Sequence, residues 1–253
     1  MKILSFNVNG LRAILKKGFL DFVHTENPDI LCLQETKVSY DQLPFDLKII
    51  DSYEAFFHSA SKKGYSGVAT YTKIKPEKII DKIGIAKFDQ EGRILHTQFA
   101  DFDLLNVYFP NGKMSKERLD FKMEFYGKFL QYILDLRQKG RKIIFCGDVN
   151  TAHKEIDLAR PKENEDISGF LPQERAWIDQ LIKNDFIDIF RKFNREVNQY
   201  TWWSQRARAR ERNIGWRIDY FFVDKNLNSK IKNAFILPNI KGSDHCPIGI
   251  ELN

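Results

Sequence analysis

The sequence predicts an α/β layered fold, and three observations support this prediction. Short apolar runs rich in β-branched and aromatic residues recur along the chain. Segments with helical spacing of apolar residues lie between them, an alternation typical of layered α/β proteins. No Gly/Ser/Pro-rich linker or low-complexity stretch interrupts this order. We therefore expect a single domain that covers residues 1–253.

Eight runs have the length and composition of β-strands. In chain order they are Ile3–Val8, Ile30–Gln34, Gly67–Tyr71, Ile94–Phe99, Leu104–Tyr108, Ile143–Cys146, Ile218–Val223 and Ile248–Leu252. The run before Glu35 is apolar enough to be buried on both faces. The segment Trp216–Val223 is typical of an interior strand, which makes the charge of Asp219 unusual.

Three segments predict α-helices. Residues 18–25 place their apolar side chains on one side and end before Asn27-Pro28, which is a helix stop signal. The longest candidate is Ser115–Lys139, where apolar residues recur near helical spacing. The third, Pro172–Asn184, follows a turn.

Composition favours an intracellular protein. No apolar run is long enough to cross a membrane, and the first residues lead straight into a strand pattern, so we expect neither a membrane span nor a signal peptide. The three cysteines, Cys32, Cys146 and Cys246, lie in or beside apolar segments without metal-ligand spacing. They indicate buried thiols in a reducing compartment. We expect a monomer, because no amphipathic segment is left for a partner.

The charge balance is compatible with a polyanionic partner. Forty Lys and Arg against thirty-four Asp and Glu give a net charge of +6 and a pI near 9.0. This excess is modest, and many basic proteins bind no nucleic acid. Its distribution is more informative, because residues 206–217 contain a single acid, Glu211, among five arginines: Arg206, Arg208, Arg210, Arg212 and Arg217.

Aromatic residues flank these arginines. Trp202 and Trp203 precede them, and Trp216 lies at their end. Rings beside a pocket and guanidinium groups that grip phosphates are typical of nucleic-acid surfaces. The alternative is a surface loop whose arginines are solvated and whose tryptophans belong to the core. For Trp203 this alternative stays open.

Five polar clusters lie where a predicted strand meets a loop. They are Ser5–Gly10, Gln34–Lys37, Gly147–Asn150, Trp216–Tyr220 and Gly242–Ile248. Carboxylates, amides and one histidine in such positions are typical of a metal-assisted phosphodiester hydrolase. The oxygen ligands among them suit a hard ion, Mg²⁺ or Mn²⁺, better than zinc. They are Asn7, Glu35, Asp148, Asn150 and Asp244.

Each cluster also has a plainer interpretation. Glu35 at a strand end could simply reach water, and Gly-Asp-x-Asn also satisfies an Asx turn. As a catalytic pair, Asp148 would accept a proton while Asn150 donates to a phosphate or nucleophile, both on one face if the strand continues.

His245 could donate to a phosphate oxygen if an acid holds its other nitrogen, and Asp219 is the candidate for that acid. The alternative is a loop histidine beside a capping aspartate. The Tyr108 hydroxyl could donate a hydrogen bond to the same phosphate, and Asn111 beside it could contact the DNA backbone. The alternative is that Tyr108 only packs, since tyrosine at a strand end is common packing material.

Together these strings resemble the exonuclease III family of apurinic/apyrimidinic endonucleases, within the endonuclease/exonuclease/phosphatase superfamily. Gly-Asp-x-Asn and Ser-Asp-His occur across the superfamily, whereas Trp-Arg-hydrophobic-Asp-Tyr and Pro-Gln-Glu-Arg are more specific to the abasic-site enzymes. The matching strings run in order along the chain: Asn7–Arg12, Gln34–Lys37, Tyr108–Asn111, Gly147–Asn150, Glu155–Leu158, Gly169–Arg175, Gly215–Tyr220 and Gly242–Pro247.

The resemblance implies a four-layer α/β/β/α sandwich of two packed mixed sheets flanked by helices. It also implies Mg²⁺-dependent hydrolysis of duplex DNA on the 5′ side of an abasic site, leaving a 3′-hydroxyl, with Mn²⁺ as a substitute. The balance with 3′→5′ exonuclease activity stays open.

By resemblance, the catalytic residues are Tyr108, Asp148, Asn150, Asp219 and His245. The metal side comprises Asn7, Glu35, Asp148, Asn150, Asp244 and His245. The pocket for a flipped abasic sugar is formed by Trp202, Trp216 and Ile218, and further DNA contacts fall on Asn9, Arg12, Lys37, Asn111, Arg206 and Arg208.

Two other functions compete with this one. Another hydrolase of the superfamily, such as a non-specific nuclease, a phosphoinositide phosphatase or a sphingomyelinase, would not need the tryptophan pocket. A DNA-binding module without catalysis would bind abasic duplex but not turn it over, and the complete set of polar residues argues against it.

Overall fold

In the computed structural model, which describes residues 1–253, two six-stranded sheets pack face to face and helices cover their outer faces. The implied four-layer α/β/β/α sandwich is therefore confirmed. The strands are β1 Lys2–Asn7, β2 Ile30–Gln34, β3 Glu54–His58, β4 Val68–Thr72, β5 Lys78–Ile80, β6 Ile94–Gln98, β7 Asp103–Val107, β8 Ile143–Asp148, β9 Phe186–Asp188, β10 Trp202–Trp203, β11 Gly215–Trp216, β12 Asp219–Asp224, β13 Ile231–Ile236 and β14 Ile248–Leu252.

The sheets have the strand orders β13-β14-β1-β2-β4-β3 and β5-β6-β7-β8-β12-β9. Both are mixed, because β1 is parallel to β2 and β7 is parallel to β8, while the other neighbours are antiparallel. Strands β10 and β11 form a separate two-stranded ribbon.

Seven α-helices lie on the sandwich or in its connections, and none has both the length and the apolar character needed to cross a membrane. The three predicted helices are confirmed with small shifts of their ends. The helices are α1 Leu11–Leu15, α2 Phe19–Glu26, α3 Phe45–Lys48, α4 Ala86–Asp89, α5 Lys116–Gln138, α6 Pro172–Lys183 and α7 Ile189–Phe193. Short 3₁₀ turns cover Tyr40–Gln42, Glu155–Asp157, Pro161–Asn164 and Lys225–Lys230.

Alternation along the central strands builds three apolar layers, because successive side chains point to opposite faces of a sheet. In β1, Leu4 and Phe6 pack outward against α1 and α2, while Ile3 faces the other sheet. In β8, Phe145 packs outward against α5 and α6, while Ile144 faces inward. The tightly packed interior holds the strand ends in fixed relative positions.

The interior strand predicted over Trp216–Val223 is interrupted. Gly215–Trp216 pairs with β10, and β12 begins only at Asp219. Arg217 lies in the break, and its guanidinium is completely buried between two carboxylates. Its Nε donates to Asp157 at 2.8 Å and its Nη2 donates to Asp188 at 2.6 Å. Arg217 therefore holds the fold together and does not belong to the exposed arginine run.

Replacing Asp157 with Asn tests this ion-pair network. Burial opposes the charge of Asp157, but Arg217 and Arg191 outweigh it and lower the carboxyl pKa to about 2. A carboxyl group whose pKa is lowered in the folded state stabilises the fold at pH values above the ordinary aspartate pKa. This stabilisation is lost as the pH falls towards 2. We expect Asp157→Asn to cost about 3 kcal/mol of unfolding free energy at neutral pH.

The cost should shrink steadily as the pH falls below about 4, since the wild-type carboxyl then becomes neutral as well. Urea unfolding of both proteins across this range measures the difference. Asp185→Asn is the matched control, because Asp185 forms an exposed pair with Lys225. A difference that stays constant with pH would contradict the assigned ion pairs.

Candidate active site

The polar clusters meet at one edge of the sandwich for a topological reason. The carboxyl ends of parallel strands coincide, so β1 and β2 deliver Asn7 and Glu35 to the same place. Strand β12 is antiparallel to β8, and its first residue, Asp219, pairs with Asp148 at the end of β8. Gly147 permits the close approach of β8 to the end of β7, because a Cβ at that position would lie 1.9 Å from the Val107 carbonyl oxygen.

A cavity of about 260 Å³ opens at this edge. Most of the residues assigned from the sequence line it, and Asp219 lies behind His245. The lining residues are Asn9, Glu35, Tyr108, Asn111, Lys113, Asp148, Asn150, Gly169, Trp202, Trp216, Ile218, Asp244 and His245. The sequence clusters thus converge on a single concave site, which is the usual setting of catalysis.

Asp148 is the buried centre of the site. Its Oδ2 accepts hydrogen bonds from Asn7 at 2.9 Å and from the Asn150 side chain at 3.1 Å. Burial, together with the charges of Asp219 and Glu35, raises its pKa, although His245 acts in the opposite direction. A carboxylate with a raised proton affinity is suited to accept a proton from a water molecule.

The strand does not continue to Asn150. The backbone turns there into the left-handed region, with φ at 57°, and the Asn150 amide N–H donates to Asp148 Oδ1 at 2.8 Å. The Asx turn considered as the plain alternative therefore exists, and it also places the Asn150 side chain against Asp148. Asn111 donates to Asn150 Oδ1 at 2.8 Å and completes this chain of amides.

Glu35, Asp148 and His245 form a group that could hold a metal ion. One ligand atom from each lies within 4.8 Å of the other two. Asn7 joins the carboxylates by donating to Glu35 Oε1 at 2.9 Å as well as to Asp148, and its own oxygen accepts from the Asn9 amide at 3.0 Å. Two carboxylates brought together in a buried site fit a hard divalent cation.

The remaining metal-side candidate, Asp244, lies in the same cavity but outside that group. Its oxygens accept from Asn9 at 2.9 Å and from the Trp202 indole at 3.1 Å. Lys37 forms an ion pair with Glu35 at 2.8 Å, and despite the opposing effect of burial it helps to lower the pKa of that carboxyl. Glu35 is therefore ionised and available to a cation.

His245 is held by Asp219, as the sequence predicted. Its Nδ1 lies 2.9 Å from Asp219 Oδ2, and the Thr201 hydroxyl donates to the same oxygen at 2.6 Å. Burial disfavours the imidazolium, but Asp219 and nearby Asp148 outweigh this effect and raise the pKa of His245 to about 10. The ring is therefore a cation whose Nε2, 3.8 Å from Asp148, donates into the cavity. A doubly protonated ring has no free lone pair, so the predicted role of His245 as a metal ligand would require loss of the Nε2 proton.

Tyr108 contributes a neutral hydroxyl. Burial, reinforced by the Glu35 charge, raises its pKa well above the usual range. Arg93 stacks on the ring at 4.7 Å and donates to the Tyr108 carbonyl at 2.9 Å. The ring is thus fixed from behind, and the hydroxyl stays a hydrogen-bond donor.

The other wall of the cavity is apolar. Trp202 and Trp216 pair across the β10–β11 ribbon with their rings edge to face at 6.5 Å, and Ile218 packs in the same cluster. Trp203, by contrast, is 3% exposed and belongs to a separate core cluster. One face of the site therefore bears charge and the opposite face offers aromatic surface.

The arginine run divides in the structure. Arg12, Arg206 and Arg208 are exposed and do not line the cavity, so their assigned DNA contacts stay predictions. Arg210 instead donates to the Ser243 and Ile240 carbonyls at 2.9 and 2.6 Å, which braces the loop before His245. Including Arg210 among phosphate-gripping arginines was wrong, because its guanidinium is occupied by backbone carbonyls.

Two lysines of the site were missed by the sequence analysis. Lys113 lines the cavity, and the only signal for it was its position just after Tyr108–Asn111. Lys122 is completely buried, pairs with Glu174 at 2.5 Å and donates to the Asn150 carbonyl at 2.8 Å. Within a 23-residue helix, nothing in the pattern separates Lys122 from its solvated lysines.

The fold and the site together define a phosphoesterase of the superfamily that the sequence resembles. The chain belongs to the Endonuclease/Exonuclease/phosphatase family, whose model matches residues 4–245. The exodeoxyribonuclease of Bacillus subtilis strain 168 is 45% identical to this chain, with complete coverage of both. The DNA-(apurinic or apyrimidinic site) endonuclease of Dictyostelium discoideum is 42% identical, over the whole of this chain and 71% of its own length.

Solved structures give the same result. The catalytic domain of Xenopus laevis APE2 superposes with a TM-score of 0.90 at 30% identity, covering all of this chain and 91% of that one. An AP endonuclease from Archaeoglobus fulgidus superposes with a TM-score of 0.89 at 27% identity, covering 100% and 99%. The recognition made from the sequence is therefore confirmed.

Proposed function

We propose that the chain is a metal-dependent DNA-repair nuclease that hydrolyses the phosphodiester 5′ to an abasic site and leaves a 3′-hydroxyl. The observation that carries this proposal is that a polar surface and an apolar surface line the same cavity. The polar cluster of Glu35, Asp148 and His245 shares one cavity with the apolar wall of Trp202 and Trp216. The names of the relatives, which are exodeoxyribonucleases and AP endonucleases, support it.

The bound cation would be Mg²⁺, with Mn²⁺ as a substitute, held by Glu35 and Asp148. When bound, such a cation neutralises phosphate charge and stabilises a leaving oxygen. Oxygen donors and the absence of a cysteine in the cavity fit these hard ions. Asn7, which joins the two carboxylates, keeps them in register for the ion.

The protein's own groups supply the rest of the reaction. Asp148 accepts the proton of the attacking water, and Asn150, fixed by its turn and by Lys122, orients that water. His245 donates to a non-bridging phosphate oxygen, where negative charge grows in the transition state. Asp219 holds the imidazolium in position, and Tyr108 donates a further hydrogen bond.

Selectivity for a missing base follows from the apolar wall. Trp202, Trp216 and Ile218 present apolar surface instead of hydrogen-bonding groups that could read a base, and the cavity is small. An abasic nucleotide leaves the helix at the lowest cost, since it has no base to unstack. A deoxyribose without its base therefore enters, and an intact nucleotide is excluded by size.

Trp216→Ala is expected to weaken this selectivity. Removing the ring enlarges the pocket, so the ratio of cleavage at an abasic analogue to cleavage of intact DNA should fall about tenfold, equivalent to about 1.4 kcal/mol. Parallel rate measurements on both duplexes give the ratio. Trp203→Phe is the matched control, because Trp203 lies in a different cluster; an unchanged ratio in Trp216→Ala would contradict the pocket assignment.

The proposed function is tested with two end-labelled duplexes, one carrying a single tetrahydrofuran abasic analogue and one intact. We expect a nick directly 5′ of the analogue in Mg²⁺, none in EDTA, and little cutting of the intact duplex. Equal cutting of both duplexes would reassign the chain to the non-specific nucleases. Binding without any cutting would favour the DNA-binding module.

A further inference from the structure

The apolar pocket contains a cation that the hydrolytic reaction does not use. The Lys113 ammonium lies 5.1 Å from the centre of the Trp202 ring and 4.9 Å from that of Trp216. Lys113 is exposed as a residue and is one of the residues that line the cavity. It forms no hydrogen bond and no ion pair, in contrast to the buried ammonium of Lys122.

The two indoles fix the position of this amine. Attraction between a cation and ring faces holds it at the pocket mouth without consuming a hydrogen-bonding position. The partial loss of water around it lowers the pKa of Lys113, although the charges of Glu174 and Asp148 oppose this. An amine held beside apolar rings and free of acceptors is the kind of lysine that attacks carbonyl groups.

A sugar that has lost its base presents such a carbonyl. Its ring-opened form carries an aldehyde at C1′, the atom that bore the base, and this atom would enter the pocket between Trp202 and Trp216. We propose that Lys113 condenses with this aldehyde to form an imine, which gives the chain a second, metal-independent reaction with abasic DNA. This inference rests on the proposed function, because it requires the abasic sugar in the pocket.

The chemistry balances without a further reactant. The lone pair of the neutral amine forms the N–C1′ bond, and the resulting carbinolamine takes up one proton from solvent and loses water to give the protonated imine. Solvent water takes a proton from C2′, the C–H electrons form the C2′=C3′ double bond, and the C3′–O bond breaks. The phosphate on the 3′ side leaves with that electron pair, and water hydrolyses the imine to restore the lysine.

Trapping with cyanoborohydride tests the proposal. The protein is mixed in EDTA with a duplex carrying a natural abasic deoxyribose, so that metal-dependent cleavage is switched off. We expect a covalent protein–DNA complex on a denaturing gel, with the reduced linkage mapped to Lys113 by peptide mass spectrometry. Lys113→Arg, which keeps the charge but cannot form an imine, should reduce the trapped product more than about tenfold.

Lys116→Arg, an exposed change three positions away at the start of α5, is the matched control and should trap like the wild type. The melting temperature of Lys113→Arg shows that it is folded. The absence of trapping, equal trapping by Lys113→Arg, or a linkage to another lysine would overturn the proposal. Cleavage of the tetrahydrofuran duplex in Mg²⁺ reports the hydrolytic function separately, since that analogue has no aldehyde.

Discussion

Replacing Asp148 with Asn is expected to reduce the rate of cleavage at an abasic analogue by about 10⁴-fold, the upper range for a general base. The variant keeps the shape of the side chain and its hydrogen bond to the Asn150 amide, but it cannot accept a proton. DNA affinity should not fall, because the change removes a negative charge that repels phosphate. Single-turnover rates and equilibrium binding to the same duplex, measured side by side, separate the two effects.

Asp185→Asn serves as the control here as well, since it makes the same chemical change at an exposed site. A loss of less than about tenfold in Asp148→Asn would contradict the assignment of Asp148 as the base. A loss of DNA binding equal to the loss of rate would also contradict it.

The second large effect is expected for His245→Ala. This change removes the donor to the phosphate oxygen and leaves Asp219 buried with only Thr201 as a side-chain partner. Removal of one transition-state donor costs about 10³-fold in rate, and the loss here includes a positive charge. Binding of abasic duplex should persist, because DNA contacts outside the imidazole are retained.

His24→Ala, on the exposed face of α2, is the matched control and should leave cleavage unaltered. The cleavage rate of bound DNA and the equilibrium affinity for DNA are measured separately, as for Asp148→Asn. If affinity collapsed while turnover of bound DNA stayed normal, His245 would be a binding residue and the proposed transition-state contact would be wrong.

Four of the six strands that the sequence analysis missed share a physical property. β3, β5, β9 and β13 occupy the four edges of the two sheets. Edge strands are partly solvated, so they lack the continuous apolar run that marked the eight predicted strands. Glu54–His58, for example, is buried only at its last residue.

The candidate site was predictable where several polar clusters had to share one sheet edge. The Asp219–His245 contact followed from the charge of an otherwise apolar strand, and the structure places these side chains 2.9 Å apart. Lys113 and Lys122 were not predictable, because solvated, pocket-lining and buried lysines look alike in a sequence. Only packing shows that Lys122 pairs with Glu174 beneath Asn150.

For Arg210 and Arg217 the charge pattern of the sequence was misleading. Both stand in a basic run that suggests phosphate binding, yet one braces backbone carbonyls and the other bridges two buried aspartates. The partners of Arg217 lie 60 and 29 positions away in the chain. Charge patterning within a short window therefore cannot separate a binding surface from an internal brace.

The central claim is that this site uses water to break the P–O3′ bond on the 5′ side of an abasic nucleotide. The most direct test is cleavage of the tetrahydrofuran duplex in heavy-oxygen water with Mg²⁺, followed by mass spectrometry of both fragments. We predict one heavy oxygen in the 5′-phosphate of the fragment that carries the analogue, and an unlabelled 3′-hydroxyl on the other. A 3′-phosphate, a label at any other position, or no cleavage would contradict the account.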